Sequence, residues 1–116
     1  GDLDVVIVGC GQTPRMLRND QSLGHHWLRV KLFGSGKNPD AIGARVALTV
    51  GESSQERLVS PTRGYLSQVE LPVTFGLGSS PAVDHLNIVW PDGTEQEIQH
   101  PAVDQLLTIR QSTVVP

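Results

Sequence analysis

The chain has 116 residues, and its length predicts one domain with a single core that is stable without disulfides or metal ions. Hydrophobic residues make up 38% of the chain and aromatic residues 4%, which indicates a core of valine, leucine and isoleucine, residues that favour strands. The formal net charge of -3, with scattered basic residues, argues against binding to nucleic acid, because duplex binding requires a concentrated basic surface.

Cysteine content and hydropathy argue against two further classes of protein, those held by disulfides or zinc and those that span a membrane. The single cysteine, Cys10, excludes an internal disulfide, and the sequence contains no CxxC or Cys/His zinc pattern. The apolar run Val5–Val8 is too short to span a bilayer, so we expect no membrane insertion. Asp2 and Asp4 stand before this run where a signal peptide has basic residues, so we expect any export signal to lie upstream.

The first elements in chain order are a short strand and a turn, followed by an alternating segment. Val5–Val8 predicts the strand and Gly9–Pro14 the turn. In the segment Leu28–Leu32, apolar residues alternate with Arg29 and Lys31, which is the period-two pattern of a half-buried strand. Gly34–Asp40 supplies the turn residues that end it.

The next segments predict two hairpins. Ala44–Val50 alternates in the same way, and Gln55–Val59 is its expected partner across a glycine-containing turn. Asp92-Gly93 is a strong hairpin signal between two further runs. Further strands are predicted at Val73–Leu77, Val83–Trp90, Thr94–Ile98 and Leu106–Arg110. A single helical turn is predicted at Pro101–Gln105.

Strands at short intervals, without an apolar stripe of helical length, are typical of an all-β sandwich or barrel. We therefore predict a compact antiparallel β-sandwich. The sequence leaves open whether the strand connections are immunoglobulin-like or jelly-roll-like.

Patterns for metal binding and catalysis are weak. His25 and His26 are adjacent near the start of a predicted strand, so their side chains point to opposite faces. A Ser-His-Asp arrangement can be drawn from Ser67, His85 and Asp84 or Asp104, but no G-x-S-x-G motif supports it. We therefore expect no enzymatic activity. Glycine pairs near residues 9 and 76 lack the spacing of a nucleotide-binding loop.

Aromatic residues are the better candidates for ligand contacts. Sugar-binding modules combine aromatic faces with amide and carboxylate groups, and the residues of these types are Trp27, Tyr65, Gln68, Trp90 and Asp92. In the alternative interpretation, which we favour because aromatic residues are so few, both tryptophans fill the core and the tyrosine caps a sheet corner.

Arg45 also has two interpretations. It follows Gly43, which is suited to a backbone angle that other residues resist, and it is expected either to pair with a carboxylate such as Asp40 or to bind an external anion.

Several phrases resemble one known family in content and order. They are His25–Leu28, Ile42–Val46, Gly64–Gln68, Phe75–Gly78 and Trp90–Thr94. This pattern resembles the ASPIC/UnbV domain, the carboxy-terminal module of secreted proteins with FG-GAP/VCBS repeats, and the resemblance covers about residues 16–110. It implies that residues 1–20 are the tail of one such repeat and that residues 21–116 are the ASPIC/UnbV-like domain.

The resemblance also implies a remnant of a calcium loop. Asp4 would be its last side-chain ligand, and Asp2 would contribute a backbone carbonyl. Because the earlier acidic positions of the repeat are absent, we expect no cofactor, with calcium bound only if upstream loop residues complete the site.

By the same resemblance, the setting is secreted, periplasmic or at the cell surface, and the expected partner is an adjacent FG-GAP/VCBS repeat domain. Two functions remain open. A non-catalytic accessory module supporting adhesion or protein contact predicts an apolar patch near residues 1–20. A carbohydrate-binding module predicts an exposed ring of Trp27, Tyr65 or Trp90 beside amide or acid groups.

Overall fold

The computed structural model describes residues 3–112. All regular secondary-structure elements within this range are β-strands. The nine strands are β1 Val5–Ile7, β2 Arg15–Leu17, β3 His26–Phe33, β4 Arg45–Val50, β5 Ser53–Leu58, β6 Val73–Gly78, β7 His85–Val89, β8 Glu95–Gln99 and β9 Gln105–Arg110. They form a three-stranded sheet in the order β6-β3-β9, a four-stranded sheet in the order β5-β4-β7-β8, and a separate β1-β2 pair.

The two larger sheets make up a β-sandwich, which confirms the predicted fold class. Alternate residues of each strand point inward, as the period-two pattern requires. The largest fully buried side chains are Phe75, Leu28, Leu48, Leu86, Ile88, Val30, Val46, Val59 and Val83. Because they come from both sheets, the core is the layer between the sheets, built mainly from the valine, leucine and isoleucine that composition predicts.

One strand pair departs from the antiparallel prediction. β3 is antiparallel to β6 but parallel to β9, with Leu28 opposite Gln105 and Phe33 opposite Arg110. A parallel pair needs a long crossover, and here that crossover contains the whole four-stranded sheet. Alternation within a strand identifies its buried face but carries no information about the direction of its neighbour, so the sequence missed this pairing.

Both predicted hairpins are confirmed. β4 pairs with β5 from Arg45–Leu58 to Val50–Ser53, and β7 pairs with β8 in an antiparallel register. The second turn is closed by the Trp90 N–H, which donates to the Thr94 carbonyl at 2.8 Å. Gly93 takes a φ of 90°, a conformation that glycine adopts without strain.

Two connecting segments are irregular. The helical turn predicted at 101–105 is wrong: the segment is not helical, and it ends at Asp104 with a φ of 58°. The Asp104 N–H donates to the carbonyl of Trp27 at 2.6 Å, so the segment is fixed by a contact with β3 that is distant in sequence. Residues 61–72 form a loop with one isolated bridge, between Thr62 and Gln68.

Candidate functional site

The β1-β2 hairpin carries the largest group of exposed apolar side chains. Within the described residues its strands pair only with each other, and each strand is three residues long. Apolar side chains on and beside it are 47–73% exposed: Leu3, Val5, Val6, Ile7, Val8, Met16, Leu17 and Leu23. Adjacent strand residues point to opposite faces, so apolar groups are exposed on both faces of the ribbon. We call these eight side chains the hairpin surface.

Asp4 has a structural contact at the base of this hairpin. Its Oδ1 atom accepts a hydrogen bond from the backbone N–H of Asn19 at 2.8 Å, across the two strands. Asp2, the other predicted calcium contact, lies outside the described residues. Within residues 3–112 no group of three or more His, Cys, Asp or Glu is placed to hold a metal ion. Calcium takes six to eight oxygen ligands, so the described residues do not fit a calcium site by themselves.

Trp90 and Asp92 are used within the β7-β8 turn. The Trp90 ring is 2% exposed, and its Nε1 donates to Gln96 Oε1 at 3.1 Å. Asp92 Oδ1 accepts from the Thr94 hydroxyl at 2.6 Å and from the Thr94 N–H at 3.0 Å, while Oδ2 accepts from Gln111. The hydrogen bonds from Thr94, followed by the one from Gln111, lower the pKa of Asp92. Trp90 therefore lies in the core and offers no face to a ligand.

Tyr65 and Gln68 lie on the exposed loop of residues 61–72. Tyr65 and the following Leu66 are each 89% exposed, and Leu66 has a φ of 52°. The Ser67 hydroxyl donates to the Tyr65 carbonyl at 3.0 Å, and the Val69 N–H donates to the carbonyl at residue 61. These bonds hold the loop backbone while the tyrosine ring points into solvent, so Tyr65 does not cap a sheet corner.

Trp27 is half-buried on β3 and lines a groove of about 220 Å³. His25, His26 and Gln21 line the same groove, which places amide and imidazole groups beside the indole ring. The groove lies where the start of β3 meets the end of β6. A predicted aromatic site residue therefore shares this groove with polar side chains.

Asp104, which the sequence suggested only as a possible member of a Ser-His-Asp arrangement, contacts this end of β3. His26 Nδ1 lies 2.7 Å from Asp104 Oδ2, and Asp104 Oδ1 accepts from the Trp27 N–H at 3.2 Å. The bond to His26 is the main cause that lowers the pKa of Asp104, and the bond from Trp27 acts in the same direction. The only local signal is an aspartate directly before a strand, which does not identify a partner 78 residues away.

Arg45 is exposed and does not pair with Asp40. Its Nη1 atom lies 3.3 Å from Glu56 Oε1 on the neighbouring strand β5, while Asp40 lies 3.9 Å from Lys31 Nζ on β3. Strand pairing explains the difference, because β4 and β5 place residues 45 and 56 diagonally across the ladder. Gly43 has a φ of 96°, the kind of backbone angle for which a glycine was expected.

A second groove contains two arginines that the sequence did not single out. It runs between β5, β6 and the loop of residues 61–72, as two adjoining cavities of about 240 and 500 Å³. Arg57, Leu58, Ser60 and Arg63 line both cavities. We call it the arginine groove. Trp27, Tyr65, Trp90 and Arg45 thus occupy different parts of the fold, and the structure does not unite them in one site.

The fold and these surfaces can be compared with known proteins. The family model described as ASPIC and UnbV matches residues 34–116. Cartilage acidic protein 1 of Xenopus tropicalis is 33% identical over 100 residues, which cover 80% of this chain and 15% of that protein. The human and mouse proteins of the same name are each 32% identical over 100 residues, covering 14% and 15% of their lengths.

The chain therefore spans about 15% of the length of the curated relatives that it matches. Within residues 3–112, no helix has the length and apolar character needed to cross a membrane. The match covers well over half of the chain and includes every strand from β4 to β9, so the chain belongs to the ASPIC and UnbV family.

Proposed function

We propose that the chain is a non-catalytic accessory module of an extracellular, periplasmic or surface repeat protein. In this proposal the hairpin surface packs against an adjacent FG-GAP/VCBS repeat domain, and the sandwich supports adhesion or contact with other proteins. The cartilage acidic protein relatives support the extracellular part by their name, and their greater length leaves room for a repeat domain.

The hairpin surface is the observation that carries the proposal. An isolated two-stranded ribbon is marginally stable at best in water, because each strand has one partner and no covered face. Here both faces also expose large apolar side chains, and burying each one fully would contribute about 1.5–3 kcal/mol. Contiguous exposed apolar surface is a mark of an interaction site in soluble proteins. A neighbouring domain that covers the ribbon would supply the missing face.

Hydrogen exchange tests this contact directly. We would compare the backbone amides of β1 and β2 in this chain and in a longer chain with an FG-GAP/VCBS repeat domain before residue 1. The proposal expects at least about a hundredfold slower exchange in the longer chain, because about 2.7 kcal/mol of added stability slows opening by that factor.

A matched pair of double variants checks the surface. Val6→Glu with Met16→Glu should remove the added protection, because both side chains are exposed on the hairpin and would carry charge into the contact. Leu66→Glu with Tyr65→Glu places the same charge on another exposed apolar site and should leave the protection unchanged. Equal exchange rates in the short and long chains would refute the proposed contact.

The groove at Trp27 favours carbohydrate binding as a second candidate function. It combines a half-buried indole with two histidines and an amide, which are groups that contact sugar rings and hydroxyls.

Thermal unfolding would be measured with a panel of soluble glycans, and with calcium and EDTA as separate arms. A ligand at about a hundred times its Kd adds roughly 2.7 kcal/mol. A midpoint increase that is lost in Trp27→Ala but kept in Tyr65→Ala would support this function, and no increase with any glycan would count against it.

A further inference from the structure

The arginine groove begins at the free edge of a sheet. β5 is the outer strand of the four-stranded sheet, so one side of its backbone has no strand partner. Val59, just after β5, exchanges two hydrogen bonds with the β4 side: its carbonyl accepts from Gly43 and its N–H donates to Ala44, each at 2.9 Å. Backbone groups alternate in direction along a strand, so the carbonyls of Glu56 and Leu58 face away from β4.

Two arginines cover these edge carbonyls. Arg57 Nη1 donates to the Glu56 carbonyl at 2.9 Å, and Arg63 Nη2 donates to the Leu58 carbonyl at 3.1 Å. Charged side chains on an edge strand protect it against pairing with another chain. Addition of a partner strand to β5 would have to displace both guanidinium groups, so we expect any ligand here to be held through side chains.

Both guanidinium groups keep donors available for an anion. Each has five N–H donors, of which Arg57 also uses one on Gln55 Oε1 at 3.1 Å. Arg57 further lies over the Phe75 ring, with Cζ 5.2 Å from the centroid. In the part of the chain that the structure describes, the five ion pairs involve other cations, and neither Arg57 nor Arg63 has a carboxylate within 4.0 Å.

The acidic residues of the groove do not balance these two charges. Glu56 and Glu70 line its two cavities, but Glu56 pairs with Arg45 at 3.3 Å, and Glu70 pairs with Arg29. Two positive charges are therefore left uncompensated by neighbouring acids in a chain whose formal net charge is -3. The groove is complementary to an anion that the rest of the surface would repel.

Part of the groove wall is apolar. Leu58 and Val69 are 44% and 43% exposed, and Leu71 and Val73 also line the smaller cavity. Tyr65 and Leu66 stand in the same loop as Arg63 and are fully accessible at its tip. A ligand that fills this site gains both charge pairing and burial of apolar groups.

We propose that the arginine groove binds an acidic segment of a partner protein, with its carboxylates on Arg57 and Arg63 and an apolar side chain against Leu58. A sulfated polysaccharide is less well matched, because its affinity depends on many cations and it has no group to bury against the leucine and valine side chains. The site deepens the proposed interaction role but does not depend on the hairpin contact, since it lies on the sandwich.

The test uses a fluorescein-labelled peptide in which every second residue is glycine and the residues between are aspartate and leucine. Its binding to the chain is measured by fluorescence anisotropy. A second peptide with lysine in place of aspartate, and a heparin oligosaccharide, are run in parallel. We expect the acidic peptide alone to bind, with an affinity that decreases as salt is added. Amide resonances within residues 56–74 should shift on binding in an NMR titration.

Variants localise the binding. Arg57→Gln with Arg63→Gln should raise the Kd at least about tenfold, equivalent to about 1.4 kcal/mol. Arg18→Gln with Lys37→Gln removes the same charge from exposed positions outside the groove and should change the Kd less than about twofold. Arg63→Gln alone should still weaken binding severalfold, and it leaves the Arg57 contact with Phe75 intact if the double variant folds poorly.

Three results would overturn the proposal: no binding of the acidic peptide up to about 1 mM, equal binding by the groove and control variants, or binding of heparin in place of the peptide. The Val6→Glu and Met16→Glu variant separates this proposal from the hairpin contact. Peptide binding should persist in it, so loss of domain docking and loss of peptide binding are distinct failures.

Discussion

The aromatic side chains have different roles although they belong to the same residue class. Trp90 directly follows β7 and lies in the core, where its indole N–H donates to Gln96, whereas Tyr65 lies on a loop with 89% of its surface exposed. Trp27 is intermediate, half-buried in a groove. Burial decides whether an aromatic residue contributes to stability or is available for contacts, and here it separates three residues that sequence pattern grouped together.

Substitution should reveal this difference in stability. Trp90→Ala is expected to lower the free energy of unfolding by about 3–5 kcal/mol, because it leaves a cavity in the core and removes the hydrogen bond from the indole N–H to Gln96 Oε1. Tyr65→Ala should change it by less than about 0.5 kcal/mol, since the ring contacts little of the fold. Urea denaturation of both variants measures the two values. A strongly destabilised Tyr65→Ala chain would contradict the exposed position of the loop.

Two glycines should also respond differently to an added methyl group. A Cβ on Gly34 would lie 2.3 Å from the backbone oxygen of Asn38, so Gly34→Ala should destabilise the chain by about 2 kcal/mol or more. A Cβ on Gly76 meets nothing within 4 Å, so Gly76→Ala serves as the matched control, expected to be neutral or slightly stabilising. Thermal unfolding of the pair checks the prediction, and similar midpoints would refute it.

At the scale of elements, the parallel pairing of β3 and β9 is fixed at its start by side-chain contacts. Asp104 precedes β9 and bonds to both His26 and the Trp27 backbone on β3. Its positive φ of 58° is an unfavourable angle for a residue other than glycine, and these bonds hold it there. This contact aligns the two strands after a crossover of more than seventy residues.

The Asp104 contact should make stability depend on pH in the acidic range. The hydrogen bond from His26 lowers the pKa of Asp104 in the folded chain, so the carboxylate stabilises the fold fully above the ordinary pKa of an aspartate. That contribution is lost as the pH falls through the lowered pKa. Asp92 acts in the same direction through Thr94.

The measurement compares unfolding midpoints of the parent chain and Asp104→Asn between pH 7 and about pH 2. The parent should be more stable at pH 7, and the difference should shrink below about pH 4 as the carboxyl group takes up its proton. Asp20→Asn, at an exposed position paired with Arg18, is the control and should differ little from the parent throughout. A constant difference for Asp104→Asn at every pH would show that its role is not electrostatic.

At the scale of the whole molecule, the hairpin strands pair only with each other among the described residues, so we expect the hairpin to be less stable than the sandwich. The radius of gyration is 16.5 Å, against roughly 13 Å for a compact domain near this size. The largest dimension is 58 Å and the smallest 20 Å. The sandwich has its own core, whereas the hairpin side chains are exposed. The elongated shape is consistent with a ribbon that projects from the sandwich.

Removal of the hairpin should therefore leave the sandwich folded. A chain beginning at Gln21 is expected to unfold cooperatively, with a midpoint within about 3 °C of the parent, because less than about 0.5 kcal/mol is lost. Differential scanning calorimetry gives the midpoint. A decrease of more than about 10 °C would mean that the hairpin contributes to the core, and the division of the chain at residue 20 would then be wrong.

The sequence by itself determined the class of fold and most strand positions. Alternation in segments such as Leu28–Leu32 and a turn signal at Asp92-Gly93 depend on residues within a few positions of each other. Such local patterns identify a buried face and a hairpin because the strand period and the turn geometry are local properties. The family phrases and the apolar character of Val5–Val8 were visible in the same way.

Only the tertiary structure decided which residues meet. In the folded chain β3 pairs with β9 in parallel, and Arg57 and Arg63 line one groove. Arg45 forms an ion pair with Glu56, and His26 forms a hydrogen bond with Asp104. Each of these contacts depends on the path of the chain between elements. Local sequence patterns do not reveal that path, because the partners lie in different elements of the fold. Burial likewise depends on what packs above a side chain, which is why Trp90 and Tyr65 were separated by the fold and not by the sequence.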